Sequence, residues 1–260
     1  MKQMIDRKAI CALFVVAVFL VSVAAVTHPA MAKRPPGKDE PNVMRITPTL
    51  LNNIGSEHAS IEFSSTTTLG ENSVNMSIDS EWVETSSEGL NIEVRRHGIG
   101  QLESIAANPI SFKVFVTAGS HMESIFIHSW GGSSPLYVTI ILHIPSQDLW
   151  VSLIPSARYG PNMTFSSEET EGWITATPAV DTWVGWTFLG QPFGGTYDGG
   201  MPIHRTLSEW NTYLNENYPD DWNIDKVNIQ FGYQEYAGDI YGTVYVDALQ
   251  VSGHIYDFEP

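Results

Sequence analysis

The sequence predicts an all-β sandwich of two antiparallel sheets with one short helix near residues 207–217. From residue 59 onward, about a dozen short runs rich in β-branched and aromatic residues are bounded by Gly or Pro. Strong helical periodicity is confined to one segment after residue 205. The spacing of the short runs is typical of sandwiches rather than of alternating strand and helix units.

The strands are predicted from alternation and from turn residues. Residues 74–78 and 90–94 place their apolar side chains on one face. "LYVTIILHI" and "LWVSLIP" are separated by "PSQD", which predicts a hairpin. In "DKVNIQFGY", alternation directs Val227, Ile229 and Phe231 inward, and the intervening polar residues, Lys226, Asn228 and Gln230, outward.

The helix has a defined start and a buried stripe. Thr206 is followed three residues later by Glu209, which is the spacing of a capping box. Leu207, Trp210 and Leu214 recur at i, i+3 and i+7 and form one apolar stripe. We therefore expect Trp210 to lie in the core.

The first 32 residues have the features of a signal peptide. A basic head precedes an apolar stretch at residues 9–26, and residues 30–32 form an A-x-A cleavage signature. An uncleaved anchor is the alternative, because about 18 apolar residues just suffice to span a bilayer. We expect a protein that is secreted or held at the cell surface.

The remaining chain divides into an arm and one domain. Residues 33–58 begin with a Pro-rich, charged segment without apolar periodicity, which predicts a flexible arm. Residues 59–260 are predicted to form a single β-sandwich domain. Strands continue on both sides of the Gly-Ser-rich stretch near residue 131, which argues against a division there.

Charge and cysteine content exclude several classes of function. Removal of the leader takes away three bases and one acid and leaves 10 Lys and Arg against 28 Asp and Glu, a net charge of −18. This charge opposes binding to nucleic acid or to an anionic membrane surface, and it suits a neutral ligand, a cation or solubility alone. The single cysteine, Cys11, lies in the leader, so the mature chain has no disulfide and no cysteine metal site.

A family resemblance rests on the C-terminal third. A short helix ends in "NYPD", the alternating strand "KVNIQFGY" follows, and a turn leads into "GTVYVDALQVSG". Over about residues 173–260 this pattern resembles the jelly-roll sandwiches that serve as carbohydrate-binding modules of secreted proteins, including concanavalin-like and galactose-binding-like domains. The resemblance implies a jelly-roll fold, glycan binding and often a structural calcium ion near Asp247, although Ala248 stands where a second acid is frequent.

Asp247 lies within an apolar run, where a bare carboxylate is costly unless it is paired or bound to a metal. Residues 198–260 are strongly acidic, and calcium prefers hard oxygen ligands. Alternation places Tyr245 and Leu249 on the face of Asp247. The metal prediction is calcium at Asp247, and the alternative is a capped or solvated carboxylate.

Aromatic residues supply candidate ligand contacts, because sugar C–H faces stack on rings while polar side chains bind the hydroxyls. Four residues in loops flanked by Gly and Asp are predicted to contact the ligand: Tyr197, Trp222, Tyr236 and Tyr241. Trp183 and Trp186 are three apart on a strand, so they face opposite sides and at most one reaches a ligand.

Two pairs of acids raise the possibility of catalysis. Asp79 and Glu81, and likewise Glu169 and Glu171, have the i, i+2 spacing that places two carboxylates on one strand face, as glycosidases require. The chain lacks the three alternating acids of sandwich glycosidases. The sequence therefore favours exposed acids over an enzyme, without deciding the point.

The sequence thus predicts a secreted, non-catalytic protein that binds an extracellular polysaccharide, with calcium as an expected stabilising ion. Nucleic acid is not among the predicted partners, and neither is the membrane once the leader is cleaved. One alternative is a structural cell-surface, fibre or envelope subunit, in which the arm self-assembles by adding a strand to a neighbour's sheet. The other is a glycan-cleaving enzyme that uses paired carboxylates.

Overall fold

Two eight-stranded sheets, almost entirely antiparallel, make up most of the described chain and confirm the all-β prediction. The computed structural model describes residues 43–46, 50–52, 59–78, 90–95, 99, 101–117, 136–156, 163–167, 172–179, 181–197, 199–232 and 242–260. These residues fall within one compact unit that runs from Pro36 to Pro260. Strands are numbered below in chain order.

Sheet A is built around its longest strand, with neighbours on both edges. In order across the sheet its members are β3 (Ala59–Ser64), β4 (Ser73–Ile78), β17 (Gly242–Val251), β6 (Ser111–Val116), β10 (Trp173–Pro178) and β9 (Met163–Ser167), with β18 (His254–Phe258) and β1 (Val43–Ile46) beside the end of β17.

Sheet B lies on the other side of the core. In order across the sheet its members are β12 (Pro192–Phe193), β11 (Thr182–Thr187), β8 (Leu149–Pro155), β7 (Leu136–Ile144), β16 (Asn223–Phe231), β5 (Leu90–Arg95) and β2 (Leu50–Asn52), with β15 (Arg205–Thr206) beside β11. A separate hairpin joins β13 (Thr196–Tyr197) and β14 (Met201–Pro202).

The strand order is that of a jelly roll. Along the chain, β4, β6 and β10 enter sheet A, while β5, β7 and β8 enter sheet B. The late strands β16 and β17 then insert between earlier ones, which gives β4–β17–β6–β10 in sheet A and β5–β16–β7–β8 in sheet B. Residues far apart in sequence therefore become neighbours on each sheet.

The core forms from the alternating apolar positions that the sequence predicts. Both sheets contribute to one buried cluster, with residues 74, 76 and 78 of β4 and residues 90, 92 and 94 of β5 among its members. β7 and β8 form the predicted hairpin around one turn of 3₁₀ helix at Pro145–Gln147. Trp183 lies in the core and Trp186 does not, as their spacing predicts.

The predicted helix forms at Leu207–Asn217 and is called α2. Thr206 Oγ1 accepts from the Glu209 backbone N–H, and the Glu209 carboxylate accepts from the Thr206 backbone N–H, which completes the capping box. Leu207, Trp210 and Leu214 are buried as predicted, and the Trp210 indole N–H donates to the carbonyl of Trp183. The structure adds a short helix, α1 (Leu102–Ala107), which the sequence did not predict because six residues hold too few apolar positions to define a period.

Part of the predicted flexible arm is paired in the sheets. Of residues 33–58, the structure describes Val43–Ile46, which pairs in parallel with β18, and Leu50–Asn52, which pairs with β5. These pairings do not favour a free arm at these residues, because they complete sheet edges of their own chain, and the flexible arm stays a prediction. Within the described ranges, no helix combines the length and the apolar character needed to traverse a bilayer.

Candidate functional site

The outer face of sheet B carries a concentrated group of buried polar side chains. Of the ten buried polar or charged residues in the described part of the chain, five lie on this face, and each is at least nine-tenths buried. Their strand neighbours on the other face belong to the core, so these five point away from it. We call them the polar patch: Asn91, Glu93, Thr139, Lys226 and Asn228.

Strand register assembles the polar patch from three adjacent strands. Asn228 on β16 lies directly opposite Glu93 on β5 and opposite Thr139 on β7. Lys226 follows two residues away on β16 and shares that face. Alternation along β16 predicts that Lys226 and Asn228 point away from the core, and this is confirmed; their burial was not predicted.

An ion pair lies within the polar patch. The Lys226 Nζ atom lies 2.5 Å from Glu93 Oε1, and both side chains are almost fully buried. A buried pair of this kind contributes little net stability, although removal of one partner is costly. The pair therefore fixes two charged groups in position on the face without giving the face a net charge.

Side-chain oxygen atoms of Thr139 and Asn228 lack a hydrogen-bond partner in the described structure. Among the described residues, Thr139 Oγ1 and Asn228 Oδ1 are buried and unpartnered, and strand pairing sets these two residues side by side. An unsatisfied buried polar atom costs about 1–3 kcal/mol. A buried group this costly calls for an explanation.

The β16 strand contains an extra residue next to the polar patch. Register shifts between Ile224 and Lys226, which makes Asp225 the bulged position, and its Oδ2 atom is buried without a partner in the described structure. Bulges re-aim side chains and are common beside functional sites. Asp225 therefore extends the group of oxygen acceptors along β16.

Aromatic side chains continue the outer face of sheet B toward β8 and β11. His143 and Trp150 face each other across the β7–β8 hairpin, and their rings stack with centroids 4.1 Å apart. Trp150 also contacts Phe188, whose ring centroid lies 6.1 Å away and whose side chain is 58% exposed. Leu189, next to it, is 87% exposed. The face therefore has a polar part and an aromatic part.

Asp247 is buried on β17 and acts as an acceptor for a loop. Its Oδ2 atom accepts hydrogen bonds from Thr67 Oγ1 and from the backbone N–H groups of Thr68 and Leu69, at 2.8–2.9 Å. Its Oδ1 atom accepts from the Ala248 N–H at 2.7 Å. Burial raises the pKa of Asp247 to about 6, while these hydrogen bonds act in the opposite direction. Asp247 is therefore a capped carboxylate.

A bulge in β17 places Leu249 on the opposite side of the sheet from the one that strict alternation predicts. The register with β6 shifts between Asp247 and Gln250, and Ala248 adopts a left-handed conformation with φ 49°. The extra residue returns Leu249 to the core, whereas Tyr245 stays partly exposed. The prediction that Leu249 shares the face of Asp247 is wrong, because strict alternation does not survive a bulge.

The hydrogen bonds around Asp247 do not fit a calcium ligand. Three donors point at Oδ2 and one at Oδ1, so N–H and O–H groups occupy the lone pairs that a cation would need. Within the described ranges, no group of three or more His, Asp or Glu side chains could hold a metal ion. Calcium at Asp247 stays a prediction that these contacts do not favour.

The structure describes two of the four loop residues predicted to bind ligand, Tyr197 and Trp222. Tyr197 lies in the β13–β14 hairpin, is 45% exposed and contacts His204, whose pKa burial lowers. Trp222 is partly buried against the core, and its indole N–H donates to Asn215 Oδ1 at 3.0 Å. Tyr236 and Tyr241 lie outside the described residues, as do both predicted acid pairs, Asp79 with Glu81 and Glu169 with Glu171.

The polar patch was not predicted as a site, although each strand carried a signal. Thr139 is the only residue with a polar side chain between Leu136 and Leu142 apart from Tyr137, and Glu93 is one of the alternating polar residues of β5. Such residues point to a polar outer face only when the neighbouring strands are known.

Comparisons with known proteins add no assignment: no family model, curated protein or solved structure matches the chain.

Proposed function

We propose that this protein binds a neutral extracellular polysaccharide, without catalysis, on the outer face of sheet B. The unpartnered oxygens of Thr139 and Asn228 carry the proposal, because sugar hydroxyls donate the hydrogen bonds that these atoms lack. Lys226 and Glu93 offer charge-assisted hydrogen bonds beside them. The aromatic part of the face offers rings on which sugar C–H groups stack.

Charge favours an uncharged ligand. The chain has a formal net charge of −16, and the two charges within the polar patch neutralise each other. An acidic polysaccharide would be repelled by the whole molecule. A neutral sugar carries hydroxyl groups around a ring with apolar C–H faces. Its hydroxyl groups can bind the polar patch while its C–H faces stack on the aromatic part of the face.

The test is electrophoresis of the purified chain through native gels that contain soluble mixed-linkage β-glucan, xylan, galactomannan or galactan. We expect at least one polysaccharide to retard the chain, and we expect the same retardation in EDTA. Absence of retardation by every polysaccharide would reject the proposal and favour a structural subunit, to be sought as filaments by electron microscopy.

Two variants distinguish the face from the predicted loops. Thr139→Val removes one unpartnered hydroxyl but keeps the β-branched shape, so we expect weaker retardation by roughly tenfold in affinity, which equals about 1.4 kcal/mol. Tyr197→Ala removes the exposed loop ring and should leave retardation unchanged. The reverse pattern would move the site to the β13–β14 hairpin. Thr164→Val, on the exposed edge of sheet A, is the matched control for the loss of a hydroxyl.

A further inference from the structure

The outer face of sheet A carries a row of three aromatic rings across three adjacent strands. Tyr245 on β17 lies opposite Phe115 on β6, and Phe115 lies opposite Trp173 on β10. The ring centroids are 6.0 Å apart for the first pair and 5.8 Å apart for the second. We call these residues the aromatic row. Their neighbours along each strand, such as Val244 and Val114, belong to the core, so the row faces away from it.

Both ends of the aromatic row carry polar atoms without partners. Among the described residues, the Trp173 indole N–H has no acceptor, and Trp173 is about 97% buried. At the other end, Asn75 on β4 pairs with Tyr245, and its Oδ1 atom is buried with no donor. One end therefore lacks an acceptor and the other lacks a donor.

We propose that the aromatic row with Asn75 is a second polysaccharide-binding site, so that one molecule links two polysaccharide chains. The choice of polysaccharide as the ligand rests on the proposed function, whereas the site rests on different residues. Four adjacent strands span about 14 Å from Asn75 to Trp173, since neighbouring strands lie about 4.8 Å apart. An elongated ligand is needed to reach both ends.

The chemistry of the row selects the occupant. Apolar C–H faces must cover the rings of Phe115 and Tyr245, while the ends require one acceptor and one donor. A sugar hydroxyl is both donor and acceptor, so a short stretch of glycan meets all three requirements. A bound peptide strand is the competing occupant, and it would give no linkage between polysaccharide chains.

The geometry of the sandwich permits both sites to act together. The aromatic row lies on the outer face of sheet A and the polar patch on the outer face of sheet B, with the shared core between them. Two sites on opposite faces cannot both contact the same short stretch of one chain. Occupation of both therefore joins two polysaccharide chains and raises the overall avidity.

The test is light scattering during titration of the full-length chain into the soluble polysaccharide that retards it in native gels. We expect scattering to rise, to peak at an intermediate protein ratio and to fall in excess protein, as bivalent linkage requires. Phe115→Thr removes the central ring and places a β-branched residue, which favours the strand conformation, at that position. It should lower the peak at least tenfold while gel retardation persists through the polar patch.

Matched variants make the result interpretable. Thr164→Val, at the exposed edge of sheet A and outside both sites, should scatter like the unmodified chain, and Tyr245→Thr should lose the peak, with folding of each variant verified by thermal unfolding. Thr139→Val, which weakens the other site, should also lower the peak. Retardation without scattering by the unmodified chain, or full scattering by both threonine variants, would overturn the second site and leave the proposed function standing. Absence of retardation would reject the proposed function itself.

Discussion

Asp247 and the pair Thr139 with Asn228 are all buried polar residues, yet their surroundings differ. The Asp247 carboxylate accepts four hydrogen bonds, three of them from the loop at Thr67–Leu69. Thr139 Oγ1 and Asn228 Oδ1 accept or donate none among the described residues. Burial alone therefore does not indicate a binding site. A satisfied buried group holds the fold together, whereas an unsatisfied one costs free energy until a partner meets it.

The loop that Asp247 holds is also tied to the end of the chain. Glu259 accepts hydrogen bonds from the Glu71 backbone N–H and from the Asn72 side chain. Gly70 has φ 65°, and a Cβ there would collide with the carboxylates of Asp257 and Glu259. Asp247 on β17 and Glu259, directly after β18, thus both hold the 66–72 loop, which is a structural role.

The largest expected effect comes from Asp247→Ala, which leaves the backbone N–H groups of Thr68 and Ala248 without an acceptor. The Thr67 hydroxyl and the Leu69 N–H each lose one acceptor and keep another. We expect the free energy of unfolding to fall by about 3–4 kcal/mol, since each unsatisfied buried group costs about 1–3 kcal/mol and removal of the buried charge offsets part of the loss. Urea denaturation measures it. Polysaccharide affinity of the folded fraction should not change, and a loss of affinity would make Asp247 part of the binding site.

The second effect is a dependence of stability on pH. The pKa of Asp247 rises from 3.8 to about 6 on folding, so the folded state binds the proton more tightly. Below pH 3.8, protonation of Asp247 contributes about 3 kcal/mol to the free energy of unfolding. This contribution is lost as the pH rises through about 6. Urea denaturation of the unmodified chain and of Asp247→Asn between pH 4 and 7 tests this, because only the unmodified chain should show the contribution. Identical pH profiles would contradict the raised pKa.

The smallest effect has the opposite sign. Thr139→Val removes a buried hydroxyl that has no partner in the described structure, so we expect the free energy of unfolding to rise by about 1 kcal/mol. Urea denaturation measures the change against Thr164→Val, whose hydroxyl is exposed and paired with Thr177. A decrease for Thr139→Val would mean that this hydroxyl is satisfied in the native protein.

Local patterns were enough to predict the fold, but not the site. The capping box at Thr206 and the buried Leu207, Trp210 and Leu214 depend on residues within one helix, so the sequence contains the whole signal. The polar patch combines Glu93, Thr139 and Asn228 from strands that only the jelly-roll order brings together. The face of Leu249 was mispredicted for a different reason, because the bulge at Ala248 leaves no pattern that a strict period of two detects.

The measurement that tests the polar patch most directly is the thermal unfolding midpoint of the unmodified chain and of Thr139→Val, each with and without saturating polysaccharide. A ligand that binds only the folded state raises the midpoint, and at one ligand concentration the increase grows with the logarithm of its affinity. We predict that Thr139→Val has the higher midpoint without polysaccharide and the smaller increase with it. An equal increase in both proteins would show that the polysaccharide does not contact the polar patch and would contradict the proposed site.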